Sequence, residues 1–140
     1  MPTPVESATL ILKLYELRRE PVLREARQWF LSDFTPETFD ELVAIAGSDR
    51  NASYRMVMGY WDMAASFVTC GAIDSDMFRA GNGEIFAAMS KLWPFLEQLR
   101  ERAGVAEVLR HAEDYIRGTP GGVDRVERTR SMFIARKKKP

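Results

Sequence analysis

The sequence has a single cysteine, Cys70, and a single histidine, His111. One cysteine excludes a disulfide within the chain, and the most common role of such a residue is that of a small buried apolar side chain. Catalytic zinc usually needs two or three nitrogen or sulfur ligands, which this chain does not offer at any recognisable spacing. We therefore predict no catalytic residue, no metal and no cofactor, and interpret the protein as non-enzymatic.

Long apolar runs and alternating patterns are also missing. The apolar run from Met56 to Cys70 is too short to span a bilayer and contains Asp62. The N-terminal residues show no basic segment of the kind that opens a secretory signal. Since no window alternates apolar and polar residues with a period of two, no strand is predicted. We expect a cytoplasmic protein that does not enter the membrane.

Basic charge is scarce in most of the chain and concentrated at its end. Residues 1–123 carry 18 acidic and 13 basic side chains, whereas residues 124–140 carry 2 acidic and 7 basic ones. A basic tail can follow a phosphate backbone, so it is the candidate nucleic-acid interface. We regard this as the weakest functional alternative, because the rest of the chain is acidic. Its candidate residues are Arg125, Arg128, Arg130, Lys137, Lys138 and Lys139.

The segment Asn51–Cys70 is apolar on almost all sides when placed on a helix, and such a helix belongs at the centre of a domain. Apolar residues recur at helical spacing before and after it. The sequence thus predicts an all-α single domain, a bundle or orthogonal array of about seven helices around a buried central helix at 51–70. Residues 1–118 form this helical domain, and residues 119–140 form a loop, a polar helix and the basic tail.

Capping residues and prolines set the predicted helix ends. Thr3 and Glu6 form a capping box, Asp74 caps a short helix, and Thr35 with Pro36 begins a third. Pro94 lies inside the apolar stripe of 84–104 and predicts a kink, because it lacks an N–H and crowds the carbonyl of Ser90. Apart from the central helix, the short helix after Asp74 and the segment 84–104, the predicted helices cover about 4–19, 21–32, 36–46, 105–118 and 123–135.

Arg55 and Asp62 are the most informative charged residues, because both lie on the narrow polar stripe of the central helix. One interpretation is that each pairs with charges on neighbouring helices and fixes their register. The other is a polar cleft that Arg55, Asp62 and either Tyr60 or Trp61 line, and that holds an anionic or aromatic ligand. His111 lies away from the apolar face of its helix and is expected on the solvated rim.

Five short segments resemble a family of short bacterial proteins known only as a domain of unknown function. The resemblance covers about residues 7–117 and leaves the basic tail outside. It implies an all-helical bacterial protein, and it brings no assigned activity, ligand or site residue. The segments that carry it are Leu12–Glu20, Ala26–Phe30, Tyr60–Ala65, Gly71–Asp74 and Pro94–Leu96.

Two functional hypotheses remain ahead of the nucleic-acid alternative. The first is a contact module that binds another protein or a second copy of itself, since the chain holds more Trp, Met and Phe than one helix face can bury. The second is a regulatory protein that binds a small molecule at the stripe of Arg55 and Asp62.

Overall fold

A computed structural model describes residues 1–139, which form nine α-helices and no β-strand. The all-α prediction is confirmed, with more helices than the seven expected. One 3-10 turn, Trp93–Phe95, separates the sixth helix from the seventh. The helices are α1 (Pro4–Arg19), α2 (Pro21–Ser32), α3 (Phe39–Ala46), α4 (Asn51–Thr69), α5 (Ser75–Gly81), α6 (Glu84–Ser90), α7 (Leu96–Ala103), α8 (Arg110–Gly118) and α9 (Gly122–Lys137).

Helix α4 packs against α2, α3, α6 and α8. Trp61 of α4 is almost completely buried, as are Phe30 of α2 and Ile85 of α6. The Tyr60 hydroxyl donates a hydrogen bond to the carbonyl of Leu14, at 2.8 Å, and so joins α4 to α1. Aromatic packing continues from α2 into the next turn, where Phe34 is fully buried.

The predicted start of α3 at Pro36 is wrong, because the helix begins at Phe39 with Thr38 as its N-cap. The expected cap, Thr35, is used elsewhere: its hydroxyl accepts a hydrogen bond from the Lys91 ammonium at 2.9 Å. Thr38 takes over and accepts from the backbone N–H of Glu41 at 3.1 Å. The helix start therefore lies three positions later than predicted, and Thr35 contacts a residue distant in the sequence.

The segment 84–104 contains a complete break where a kink was predicted at Pro94. Helix α6 ends at Ser90 and α7 begins at Leu96, after the 3-10 turn. Because Pro94 has no N–H, the Ser90 carbonyl loses its helical partner. The Arg130 guanidinium replaces that partner and donates to the carbonyls of Ser90 and Lys91, at 3.1 and 3.2 Å.

Helix α8 begins at Arg110, five residues later than predicted. Leu109 adopts the left-handed conformation, with φ of 56°, which an α-helix does not allow. The preceding carbonyl of Val108 accepts a hydrogen bond from Arg100 Nε at 2.9 Å, so α7 holds this irregular segment in place. The residues from Val105 to Leu109 therefore form a connection between α7 and α8.

A buried ion pair fixes α7 against α8. Arg100 and Glu113 are both buried, and their side chains are 2.7 Å apart. Burial opposes ionisation of Glu113, but the hydrogen bonds from Arg117 and Arg100 outweigh burial and lower the pKa of the carboxyl. The Glu113 carboxylate is thus charged near neutral pH, and it pairs with Arg110 and Arg117 of its own helix as well as with Arg100 of α7.

Helix α9 packs on α6 and α8, and its residue Val126 is fully buried. The chain enters α9 very close to α8: a Cβ at Gly122 would overlap the carbonyl oxygen of Ile116, so only glycine fits there. The Arg125 guanidinium lies over the Phe86 ring, 4.2 Å from its centre. Both apolar and cation–π contacts therefore bind α9 to the helices before it.

Two of the predicted caps are confirmed. Thr3 and Glu6 form the reciprocal capping box of α1, and the Asp74 carboxylate accepts from the Met77 N–H at 2.9 Å. The expectation that Cys70 is buried is wrong, because this residue lies just beyond the last turn of α4 and is exposed. Within residues 1–139, no helix has the length and apolarity needed to cross a membrane.

Candidate functional site

The three residues predicted to line a cleft on α4 do not share one. Arg55 is exposed, Asp62 is half-buried, and Trp61 is buried in the core. Trp61 Nε1 has no hydrogen-bond partner, and the Trp61 side chain is 1% exposed among core residues. Arg55 and Asp62 lie two turns apart on the same helix, and the structure gives each a different environment.

Asp62 acts as the cap of a neighbouring helix. Its carboxylate accepts a hydrogen bond from the Ala112 backbone N–H, at 2.9 Å, in the first turn of α8. Leu109, the residue that precedes α8, has no side-chain acceptor and cannot cap the helix itself. A carboxylate at this position also interacts favourably with the positive end of the helix dipole. Asp62 therefore fixes where α8 begins relative to α4.

His111 lies at the edge of the same junction, in an exposed contact. It is half-buried, and its Nδ1 lies 2.7 Å from the hydroxyl oxygen of Thr69, at the end of α4. The two hydrogen bonds of Asp62 and Thr69 thus attach one turn of α8 to two turns of α4. Residues 1–139 contain no group of three His, Cys, Asp or Glu side chains placed to hold a metal ion.

Arg55 lies instead at a groove that α3, α4 and α7 form together. The groove has a volume of about 620 Å³, which is within the range of small-molecule sites. Leu42 and Tyr54 are buried at its floor, while Arg55 and Arg102 are exposed at its edge. Its lining residues are Leu42, Val43, Ala46, Gly47, Asn51, Tyr54, Arg55, Met58, Leu99, Arg102, Ala103 and Val108.

The charge of this groove is of one sign. Arg55 and Arg102 are its charged lining residues, and the lining includes no Asp or Glu. Neither arginine takes part in an ion pair within residues 1–139. The arginines that do form ion pairs there are Arg27, Arg50, Arg79, Arg100, Arg110 and Arg117.

Polar groups inside the groove are few. The Asn51 side chain donates to the Ala46 carbonyl at 2.5 Å and so joins α3 to α4 at one end. Burial alone raises the pKa of Tyr54 to about 12, which keeps this hydroxyl protonated at neutral pH. The groove therefore combines an aliphatic surface, a neutral phenol at its floor and two arginines at its edge.

The basic residues of the tail are largely bound to the protein itself. Arg130 also donates to the Pro36 carbonyl at 2.7 Å, and Lys137 donates to the Thr35 carbonyl at 3.0 Å. Lys137 and Lys138 both lie within 4.0 Å of the Glu37 carboxylate. Arg128 and Lys139 are exposed. The predicted interface residues are thus distributed over contacts with α6, with the turn before α3 and with solvent.

Lys91 is a buried titratable residue that the sequence did not identify as a candidate. It is 1% exposed, and its ammonium donates to the Leu31 carbonyl and lies 3.5 Å from the centre of the Phe133 ring. Burial, together with the nearby Arg130 and Arg136, lowers its pKa to about 8. Its partners come from α2 and α9, so Lys91 joins three helices and is fully used in packing.

Comparison with known proteins identifies a family. The family described as Domain of unknown function (DUF4760) matches residues 3–118. The chain belongs to this family. The DUF4760 match ends at the last residue of α8, so the groove and the α4–α8 junction lie within it and α9 follows it.

No curated protein matches the DUF4760 chain. No solved structure matches it either.

Asp62 and Arg55 should respond differently to substitution. Asp62→Ala removes the acceptor for the Ala112 N–H and is expected to lower the free energy of unfolding by about 1–2 kcal/mol. Asp62→Asn keeps an acceptor oxygen and should recover part of that loss. Arg55→Ala is the matched control on the same stripe, with an expected change below about 0.5 kcal/mol. Urea denaturation measures all three, and equal losses for Asp62→Ala and Arg55→Ala would contradict this assignment.

Proposed function

We propose that the protein is a non-enzymatic binding module that holds a small molecule in the groove between α3, α4 and α7. The observation that carries this proposal is the groove itself, about 620 Å³ in volume, with aliphatic lining and few polar groups. Binding sites for small molecules are mostly apolar clefts in which a small number of polar groups fix orientation. A regulatory role would follow if the ligand stabilises one arrangement of α7 against α4.

A binding role fits the available chemistry better than a catalytic one. His111 and Asp62 both serve the α4–α8 junction, and neither lines the groove. The groove offers two guanidinium groups, an amide and a phenol, and burial raises the pKa of the Tyr54 phenol to about 12, far above the neutral range in which a general base works best. These groups can orient and retain a ligand.

Occupation of the groove should stabilise the fold. Octanoate and octanol serve as probes, since both carry an aliphatic body of suitable size. At about 100 times Kd, a ligand that binds only the folded protein raises its stability by about 2.7 kcal/mol, which a thermal melt detects readily. Ala103→Trp places an indole in the groove from an exposed position and should abolish this stabilisation.

The matched control for this variant is Ala135→Trp, at an exposed position on α9 away from the groove. It should leave the response to both probes unchanged. The proposal would be overturned if neither probe raised the melting temperature of the unmodified protein. It would also be overturned if Ala103→Trp responded as the unmodified protein does.

A second candidate function, contact with another copy of the chain, is favoured by the outer face of α1. Val5, Leu12 and Tyr15 are 74%, 61% and 47% exposed, and Ala8 lies on the same face. Their spacing of three, four and three residues is that of a coiled-coil seam. An antiparallel pair of α1 helices would bury this seam and keep the bordering charge Glu16 away from its own copy.

Self-association through α1 predicts a specific response to mutation. Leu12→Glu places a charge in the centre of the seam and should shift a concentration-dependent dimer to monomer in sedimentation velocity. Met132→Glu changes an equally apolar, exposed residue on α9 and should leave the dimer intact. A protein that is monomeric at all concentrations, or a dimer that survives Leu12→Glu, would contradict this second candidate.

A further inference from the structure

We propose that the ligand of the groove is an amphipathic anion, with an aliphatic body on the groove floor and one acidic head group bound by Arg55 and Arg102. This inference rests on the proposed function, because it assigns a chemical class to the ligand of that same groove. It follows from the charge of the lining residues, their exposure and the helices that carry them.

The first step concerns charge. The rest of the chain before the tail is acidic, with 18 acidic and 13 basic side chains in residues 1–123. A groove lined by two arginines and no carboxylate therefore has a positive charge within a segment whose net charge is negative. Opposite charge selects an anion and disfavours a cation of the same shape.

The second step concerns the state of the two arginines. Arg50 and Arg79 are partly exposed arginines with an acidic partner: Arg50 lies 3.0 Å from Glu25, and Arg79 lies 2.7 Å from Asp76. Several exposed arginines, Arg24 among them, have no such partner, so it is the position of Arg55 and Arg102 at the groove that sets them apart. Arg55 and Arg102 have no such partner within residues 1–139. Their guanidinium groups therefore keep all their donors available, and a guanidinium can bind a carboxylate or a phosphate through two parallel hydrogen bonds.

The third step concerns orientation. Leu42 and Tyr54 are buried, whereas both arginines are exposed, so the groove is apolar inside and cationic at the solvent side. An amphipathic anion matches this arrangement, since its body leaves water while its head group stays at the edge. Met58 adds an adaptable thioether to the apolar side.

The two helices that carry the arginines are both held in place without them. Asn51 and the core anchor α4, and the Arg100–Glu113 ion pair anchors α7. Removing the arginines should therefore leave the fold intact. This separation makes the inference testable by substitution, with binding as the readout.

The experiment compares four probes by isothermal titration calorimetry: octanoate, octyl phosphate, octanol and acetate. Octanoate or octyl phosphate should bind about tenfold or more tightly than octanol, because a hydrogen-bonded charge adds to the same apolar contact. Acetate, which has the head group alone, should not bind measurably. Higher salt should weaken the binding of the two amphipathic anions and leave the binding of octanol unchanged.

The variants locate the head group. Arg55→Ala and Arg102→Ala should each lower the affinity for octanoate and octyl phosphate by about three- to tenfold. In the double variant, the affinity for these anions should fall to the affinity for octanol. Octanol binding should stay constant throughout. Arg24→Ala, an exposed arginine of α2 outside the groove, is the matched control and should behave as the unmodified protein.

The outcomes separate the inference from the function on which it rests. If octanol binds as tightly as both anions, or if the double variant binds the anions unchanged, the acidic-ligand inference is overturned and the groove remains a binding site. If the unmodified protein binds neither octanol nor the anions, both are overturned. A circular dichroism melt of each variant confirms that the comparison is made on folded protein.

Discussion

The hydrogen bond from the Ala112 N–H to the Asp62 carboxylate positions the start of α8 on α4. It attaches the start of α8 to the middle of α4, and the Arg100–Glu113 ion pair then attaches α7 to α8. Two polar contacts thus connect α4 with α7, which carry the two groove arginines.

The same connection explains the irregular segment between α7 and α8. Leu109 has a left-handed backbone and no capping side chain, so the start of α8 has no acceptor from its own N-cap residue. Asp62 supplies one, and Arg100 Nε holds the Val108 carbonyl. Val108 consequently lies beside the groove and lines it, instead of continuing a helix. The left-handed backbone of Leu109 and the position of Val108 at the groove both belong to this irregular segment between α7 and α8.

Local sequence signals predicted what depends on neighbouring residues and failed where distant residues compete. The capping box of Thr3 and Glu6 and the disruption at Pro94 follow from short-range chemistry. Thr35 does not have its predicted capping role, and its hydroxyl accepts instead from Lys91, 56 residues away. Arg55 was identified as a candidate from its place on a polar stripe. Its partner Arg102 was not, since only the fold brings α7 to the same groove.

The methyl groups of the methionines offer the most direct test of where a ligand binds. The chain has seven methionines, of which Met58 lines the groove, while Met63 and Met132 are exposed elsewhere. In a 13C-methyl-methionine NMR titration with octanoate, the Met58 signal, assigned through Met58→Leu, should shift most. The signals of Met63 and Met132 should stay in place. Saturable shifts at those two residues with an unchanged Met58 signal would contradict the account.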